Sequence, residues 1–194
     1  MIAQSQLYEA LLAVREAPQG PRLPQLISWA SRFSALGFTP SYGPGDHGNL
    51  SCRTPTGLVI TARATIKADL HPDQFVEVIG IERVGPRAQL RCRGLELPST
   101  DALLHLLIYE RRPDVQAILH GHDPVTLAKA GEFGLPVTAH SASLPSLDVV
   151  QDACELAEAH DYLILRDHGF LALGSSIDAA GELALSYAHR LRET

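Results

Sequence analysis

Three histidines and one aspartate have the residue types and the spacing of a catalytic metal site. His120 and His122 stand in the segment AILHGH, directly after an apolar run. On an extended strand, residues two apart project from the same face and lie roughly 7 Å apart along the chain. Two such imidazoles can bind one metal ion. His168 follows a second apolar run, in LILRDHGFLALG, and Asp101 stands upstream in LPSTDALLH.

The elements that must position these residues are strands and helices in mixed order. Strands are predicted at 50–53 and 58–61, after a glycine-rich turn, at 74–80, and at 88–93, where apolar and polar residues alternate. A hairpin turn is expected to join the last two. AILHGH is predicted to be a strand, and YLILRDHGFLALG two strands around a tight turn. Because several strands form hairpins, we expect three layers around a largely antiparallel sheet, in a single domain over 1–194.

Apolar residues at helical spacing predict the helices. The first is expected over 4–16, with Leu7, Leu11 and Val14 on one face. The segment PSTDALLHLLIYERRP is predicted to be a helix that Ser99 or Thr100 caps, with Asp101 at the positive end of the helix dipole. The remaining helices are predicted over 24–36, at the segment DPVTLAKAG with Asp123 as its cap, over 148–160 and over 178–192.

Composition limits the classes of function. The formal net charge of −6 and the isoelectric point near 5.8 disfavour a nucleic-acid surface. No apolar run approaches the length of a membrane span, and the N-terminal residues do not have the pattern of a secretory signal. Three cysteines, far apart and in no CxxC pair, fit reduced thiols rather than a disulfide framework. We therefore expect a cytoplasmic protein.

Five segments in this order, GNLS, LVIT, LPSTD, AILHGH and LRDHGFLALG, make the chain resemble the class II aldolase/adducin family of fuculose-phosphate aldolases and ribulose-phosphate 4-epimerases. The resemblance implies an α/β fold, a three-layer α/β/α sandwich, assembled as a homotetramer. It also implies a divalent metal per subunit, usually zinc, although imidazole ligands also suit manganese, cobalt and iron. The implied metal ligands are His120, His122 and His168.

The resemblance also assigns roles around the metal. Asp101 would be a fourth ligand or the acid/base that moves a proton. A metal held by neutral imidazoles keeps most of its positive charge, so it can polarise a substrate carbonyl and stabilise an enediolate. Free N–H groups at the predicted helix start would favour a phosphate. The residues expected to hold the phosphate are Gly48, Asn49, Ser99 and Thr100.

Three departures from the family leave the reaction open. Asp101 stands where the aldolases have glutamate and the epimerases aspartate. Arg63 and Ala64 replace a Thr-Gly pair that helps the aldolases to bind phosphate, and an arginine could clamp an anion in its own way. The tyrosine that aldolases use as a proton donor falls near His140, which could replace it as an acid.

An aldolase-type lyase acting on a small hydroxylated, phosphorylated carbonyl compound is the leading interpretation. A 4-epimerase, a dehydratase or a decarboxylase could use the same metal site, and aspartate at 101 favours the epimerase. A non-catalytic, adducin-like assembly module is the alternative from a different class, and a full set of histidine ligands argues against it. His105 is expected to be a structural group behind the site. The other histidines, His47, His71, His140, His160 and His189, are expected on the surface or in local structure.

Overall fold

One mixed sheet organises the computed structural model, which describes residues 2–4, 7–84, 87–143 and 145–193. Within these residues the strand order is β1-β2-β6-β5-β4-β3-β7-β9-β8. Neighbouring strands are antiparallel except for β2 and β6, which are parallel, so the predicted largely antiparallel sheet is confirmed. The strands are β1 (Ile2–Gln4), β2 (Tyr8–Val14), β3 (Asn49–Thr54), β4 (Gly57–Thr61), β5 (Phe75–Val84), β6 (Arg87–Gly94), β7 (Ala117–Gly121), β8 (Tyr162–Leu165) and β9 (Gly169–Gly174).

Helices cover both faces of the sheet and complete the three layers that were predicted. One buried apolar cluster joins the sheet to α2 and α4, and a second joins it to α1 and α5. No helix among the described residues is long and apolar enough to cross a membrane. The helices are α1 (Leu23–Ala35), α2 (Ala102–Arg111), α3 (Pro124–Lys129), α4 (Leu147–Ala157) and α5 (Ile177–Arg192).

Strand β7 shows how a sheet buried on both sides directs its side chains. Ala117 and Leu119 belong to the cluster under α1 and α5, whereas Ile118 belongs to the cluster under α2 and α4. Side chains two apart share a face, so His120 projects on the same side as Ile118. The first ligand candidate therefore faces α2, the helix that follows Asp101.

The helix predicted over 4–16 is wrong. Its described residues include β2, which pairs in parallel with β6, and Ser5 and Gln6 lie outside the described residues. Tyr8, Ala10 and Leu12 are buried, and this period of two competes with the helical spacing of Leu7 and Leu11. Pairing with the edge of β6 decides the outcome, because a short segment takes the structure that its tertiary partners favour.

The other predicted elements are confirmed within a few residues. Helix α1 matches the prediction over 24–36, and Gly37 follows it with a φ of 76°. Asp123 caps α3 by accepting a hydrogen bond from the Val125 N–H, with Pro124 at the first position, as predicted. The hairpins β5–β6 and β8–β9 also form where the sequence placed them.

Gly181 lets α5 pack against α1, and its replacement gives a testable prediction. A Cβ at this position would lie 2.4 Å from ring atoms of Trp29. Gly181→Ala is therefore expected to lower the free energy of unfolding by about 1–3 kcal/mol, although alanine is the better helix former. Denaturant unfolding measures this. The matched control is Gly131→Ala, where a Cβ meets open space. Equal stability of the two variants would contradict the packing described here.

Candidate metal centre

The histidines meet where several strands end at one edge of the sheet. His120 is the next-to-last residue of β7 and lies directly opposite Asn49, the first residue of β3. His122 follows β7 by one residue, and its N–H donates to the Phe38 carbonyl over 2.7 Å. His168 is in the tight turn between β8 and β9, where Asp167 has a φ of 61°. The sheet register and this turn therefore bring together residues 46 to 48 positions apart in sequence.

Each of the three imidazoles offers a nitrogen to a common point. The ligand atoms of His120, His122 and His168 all lie within 4.8 Å of one another. The ring centroids of His122 and His168 are 4.4 Å apart, and those of His120 and His168 are 5.2 Å apart. The two Nε2 atoms of His120 and His122 approach to 3.0 Å.

The donor set fits a divalent metal. His120 Nδ1 lies 2.8 Å from the Phe170 carbonyl oxygen, which can only accept a hydrogen bond, so Nδ1 carries the proton and Nε2 keeps its lone pair. Ligand nitrogens around a tetrahedral zinc, with bonds of roughly 2.0 Å, stand about 3.3 Å apart, close to the separation of the Nε2 atoms. Burial is the main cause of a lowered pKa at both His120 and His168, and it brings the pKa of His168 to about 4. Both imidazoles are therefore neutral near pH 7, as metal binding requires.

Asp101 lies beside the three histidines. Its Oδ2 is 4.0 Å from His120 Nε2 and accepts a hydrogen bond of 2.6 Å from Asn49 Nδ2. Burial alone would raise the pKa of this carboxyl group, but neighbouring imidazoles, led by His120 and His168, and the Asn49 hydrogen bond hold it below its ordinary value. Asp101 is therefore ionised and lies close to the imidazole nitrogens.

Gly48 and Asn49 place the other polar groups of the site. Asn49 Oδ1 is buried and has no hydrogen-bond partner, so it leaves an acceptor for a group that enters the cavity. Gly48 has a φ of 77°, and a Cβ there would lie 2.7 Å from the His120 carbonyl oxygen. Glycine at this position therefore lets β3 begin directly against β7.

Ser99 and Thr100 lie at the start of α2, but neither caps the helix as predicted. The N-cap residue is Asp101, and its side chain makes no capping hydrogen bond. Ser99 Oγ instead accepts the Asp101 N–H over 3.3 Å, and its carbonyl accepts the Tyr8 hydroxyl over 2.5 Å. The Ala102 N–H, the first of α2, donates to the same Ser99 carbonyl over 3.1 Å, so this turn uses both polar groups of the serine locally.

One cavity of about 300 Å³ joins all eight predicted site residues. His47, expected on the surface or in local structure, is exposed and also borders this cavity: its ring stacks on His122 with centroids 4.5 Å apart. The sequence signal that could have revealed this is its position directly before the GN pair. His140, considered as a substitute for the missing tyrosine, does not line this cavity, and its side chain is 59% exposed beside Asp152.

His105 lies behind Asp101 as a fully buried structural group, as expected. Its Nδ1 is 2.8 Å from Ser51 Oγ, which in turn is 2.8 Å from the Tyr109 hydroxyl. Its Nε2 is buried without a partner. Burial lowers the pKa of His105 from 6.5 to about 3, although the Asp101 charge opposes this. The imidazole is therefore neutral in the folded protein near pH 7.

The pKa of His105 gives a prediction on stability. Below pH 6.5 His105 is protonated in the unfolded chain, whereas in the folded chain it stays neutral down to about pH 3. The free energy of unfolding should thus fall as pH falls through this window, by about 1.4 kcal/mol per pH unit from this residue. Urea unfolding of the metal-free protein between pH 6 and pH 4 measures it. His105→Asn should have a slope smaller by that amount, and equal slopes would contradict the assignment.

Comparisons with known proteins agree on a family. The model of the class II aldolase and adducin N-terminal domain matches residues 25–193. A 5-methylthioribulose-1-phosphate/5-deoxyribulose-1-phosphate aldolase of Rhodospirillum rubrum is 29% identical over 176 residues, 82% of this chain and 74% of that protein. A methylthioribulose-1-phosphate dehydratase of Gluconacetobacter diazotrophicus is 27% identical over 189 residues, 84% of this chain and 87% of that protein.

A solved structure shows the same fold. The L-fuculose-1-phosphate aldolase from Thermus thermophilus superposes with a TM-score of 0.71 at 20% identity, covering 87% of this chain and 90% of that one. At this identity the likeness concerns the fold alone. The family model, in contrast, matches most of the sequence, including every segment that supplies one of the eight predicted site residues to the cavity. The chain therefore belongs to the class II aldolase and adducin N-terminal domain family.

Proposed function

We propose that this protein is a divalent-metal-dependent lyase of the aldolase type that cleaves a small hydroxylated, phosphorylated carbonyl compound. The observation that carries the proposal is the convergence of three neutral imidazoles, with an ionised carboxylate 4.0 Å from one of them, in a cavity large enough for such a compound. A binding module that served only in assembly would have no use for this arrangement.

His120, His122 and His168 would hold the metal, and zinc is the metal that we propose. When bound, it would supply a Lewis acid that polarises the substrate carbonyl. The hydrogen bond between His120 Nδ1 and the Phe170 carbonyl fixes this ring with Nε2 toward the metal.

Asp101 would move the proton. As an ionised carboxylate it can accept the hydroxyl proton released when the carbon–carbon bond breaks, and it can return a proton to the carbon left behind. Asn49 orients it through the 2.6 Å hydrogen bond to Oδ2. The unpartnered Oδ1 of Asn49 can accept a hydrogen bond from a substrate hydroxyl at the same time.

The anionic end of the substrate would lie at the start of α2. Ser99 and Thr100 line the cavity there, and the positive end of the helix dipole favours a phosphate. Gly48 and Asn49 line the same cavity from β3, and glycine permits close approach of the backbone. These four residues would fix the phosphate while the metal and Asp101 act on the carbonyl end.

A dehydratase is the second candidate. The relative from Gluconacetobacter diazotrophicus carries that name and is matched over most of its length. Loss of water next to a carbonyl needs the same Lewis acid and a carboxylate that removes a proton from carbon, which Asp101 could do. A 4-epimerase remains a prediction from aspartate at 101 alone. Assembly as a homotetramer remains a prediction from the resemblance, and a cytoplasmic location remains one from the composition.

Product analysis tests the proposal. Purified, zinc-loaded protein is incubated with 5-methylthioribulose-1-phosphate, 5-deoxyribulose-1-phosphate and a panel of other ketose phosphates, and products are separated by mass spectrometry. Cleavage should yield a three-carbon ketone phosphate and an aldehyde. Loss of one water with the carbon skeleton intact would replace the aldolase by the dehydratase. Full metal occupancy with every phosphate left unchanged would overturn both.

A further inference from the structure

The residue after the second histidine of the HGH segment is a buried carboxylate. Asp123 follows His122 directly and is 2% exposed. It caps α3 through the Val125 N–H, and its Oδ2 also accepts the Thr126 hydroxyl over 2.7 Å. These neutral donors do not balance the negative charge of the carboxylate. Because a buried charge is costly without a partner of opposite sign, the cation that meets Asp123 is the informative contact here.

Arg192, the last residue of α5, is that cation. Its Nη1 donates to Asp123 Oδ2 over 2.9 Å and its Nη2 to Asp123 Oδ1 over 2.8 Å, so the pair is bidentate. Nη1 also donates to the Ala188 carbonyl over 3.0 Å, which fixes the guanidinium to the end of its own helix. The ion pair therefore ties the end of α5 to Asp123, 69 positions earlier in the chain.

Arg192 also lies against the residue that holds the backbone N–H of His122. Its guanidinium carbon is 5.8 Å from the centroid of the Phe38 ring, within the range of a cation–π contact. The Phe38 carbonyl accepts the His122 N–H over 2.7 Å. One guanidinium thus contacts both residues that fix the backbone at His122, its neighbour in sequence and its hydrogen-bond partner.

Phe38 extends these contacts to the first histidine of the HGH segment. Its ring packs edge-to-face on Phe170, with centroids 5.6 Å apart, and the Phe170 carbonyl lies 2.8 Å from His120 Nδ1. Gly121, between the two histidines, leaves room for these residues: a Cβ there would lie 2.6 Å from a Phe170 ring atom and 3.2 Å from the Phe38 Cβ. The HGH backbone therefore lies against two phenylalanines of the apolar cluster under α1 and α5.

We propose that Arg192 is a positioning residue of the metal centre, which holds the backbone of His122 through Asp123 and Phe38 and so sets the affinity for the divalent ion. The inference rests on the proposed function, whose metal these histidines would hold. Arg192 does not line the cavity, so it acts only through the residues it contacts. Partners that orient a metal ligand are typically worth about 10–100-fold in metal affinity. A pair that only tied α5 to α3 would change stability and leave metal affinity unchanged.

Zinc affinity, measured by competition with a chromophoric chelator, tests the proposal without any substrate. Arg192→Met is expected to weaken zinc binding about tenfold or more, because Asp123 loses its counterion and the backbone at His122 loses its restraint. Arg192→Lys keeps the charge but not the two-point contact, and should lie between Arg192→Met and the wild type. The visible absorption spectrum of the cobalt-loaded protein should also change in Arg192→Met, because it reports the geometry of the ligands.

Two controls on the same helix separate positioning from stability. Arg190→Met removes an arginine that lies over the Phe133 ring, and it should bind zinc as the wild type does. Gly181→Ala is expected to destabilise the protein where α5 meets α1, and it should also keep the zinc affinity of the wild type. A loss of affinity that follows contact with Asp123, and not stability, is the result expected for a positioning residue.

The outcomes distinguish this proposal from the proposed function. Wild-type zinc affinity in folded Arg192→Met would overturn the positioning role, and should that variant not fold, wild-type affinity in Arg192→Lys would do so. An equal loss of affinity in Gly181→Ala would also overturn it, since the effect would then follow stability alone. If zinc affinity depends on Arg192 but no phosphorylated ketose is converted, the positioning role stands and the proposed lyase activity fails. No zinc binding by the wild type would overturn both.

Discussion

Replacing His122 by alanine is expected to abolish turnover and leave the fold intact. His122 Nε2 lies 3.0 Å from His120 Nε2, and its ring packs against His168 at the mouth of the cavity rather than in either apolar cluster. Removing it takes away one of three metal ligands without opening the core. We expect kcat to fall by about 10³ or more, because a site with two imidazoles retains a catalytic metal poorly. Steady-state kinetics on the substrate identified by product analysis measures this.

The control for this variant is a histidine away from the cavity. His160→Ala changes an exposed residue and should keep full activity and full metal content. Circular dichroism and thermal unfolding should show both variants folded. Normal turnover by folded His122→Ala would show that His122 is not part of the site, and it would contradict the proposal that three histidines hold the metal.

Replacing Asp101 by asparagine is expected to give the second largest effect. Asparagine has nearly the same shape and can still accept the hydrogen bond from Asn49, so the cavity should keep its geometry. It cannot accept and return a proton, and general acid–base catalysis is typically worth about 10²–10⁴ in rate. We expect kcat to fall by that factor with zinc content unchanged.

Turnover and zinc content, measured together, distinguish a proton-transfer role of Asp101 from a metal-ligand role. Loss of zinc in Asp101→Asn would show that the carboxylate acts chiefly as a ligand, in line with its 4.0 Å distance from His120 Nε2. Asp101→Glu, which introduces the residue of the family's aldolases, should retain part of the activity. Wild-type turnover by Asp101→Asn would contradict any proton-transfer role for this residue.

Much of the metal centre could be predicted because local patterns set it. Two histidines in the HxH spacing project to the same side where β7 ends, and the turn before Gly169 places His168 at the end of a hairpin. What the sequence could not show is which strands outside the two predicted hairpins are neighbours. The register that sets Asn49 opposite His120 depends on long-range pairing between β3 and β7.

The predictions that failed depend on tertiary contacts. Residues 8–14 form a strand because β6 offers an edge to pair with, although Leu7 and Leu11 fit a helical period. Ser99 does not cap α2 because its hydroxyl accepts the nearer Asp101 N–H and its carbonyl accepts the Tyr8 hydroxyl. His47 is exposed, as expected, and it also borders the cavity because its loop folds back onto His122, a contact to which only its position before the GN pair points.

Metal content per chain is the most direct test of whether His120, His122 and His168 bind one divalent metal. Untagged protein is purified without chelator and analysed by elemental mass spectrometry beside His120→Ala. We expect about one divalent ion per wild-type chain and its loss in the variant, because the ligand atoms converge within 4.8 Å. No metal in the wild type, and none taken up on incubation with zinc, manganese, cobalt or iron, would show that these histidines do not form a metal site.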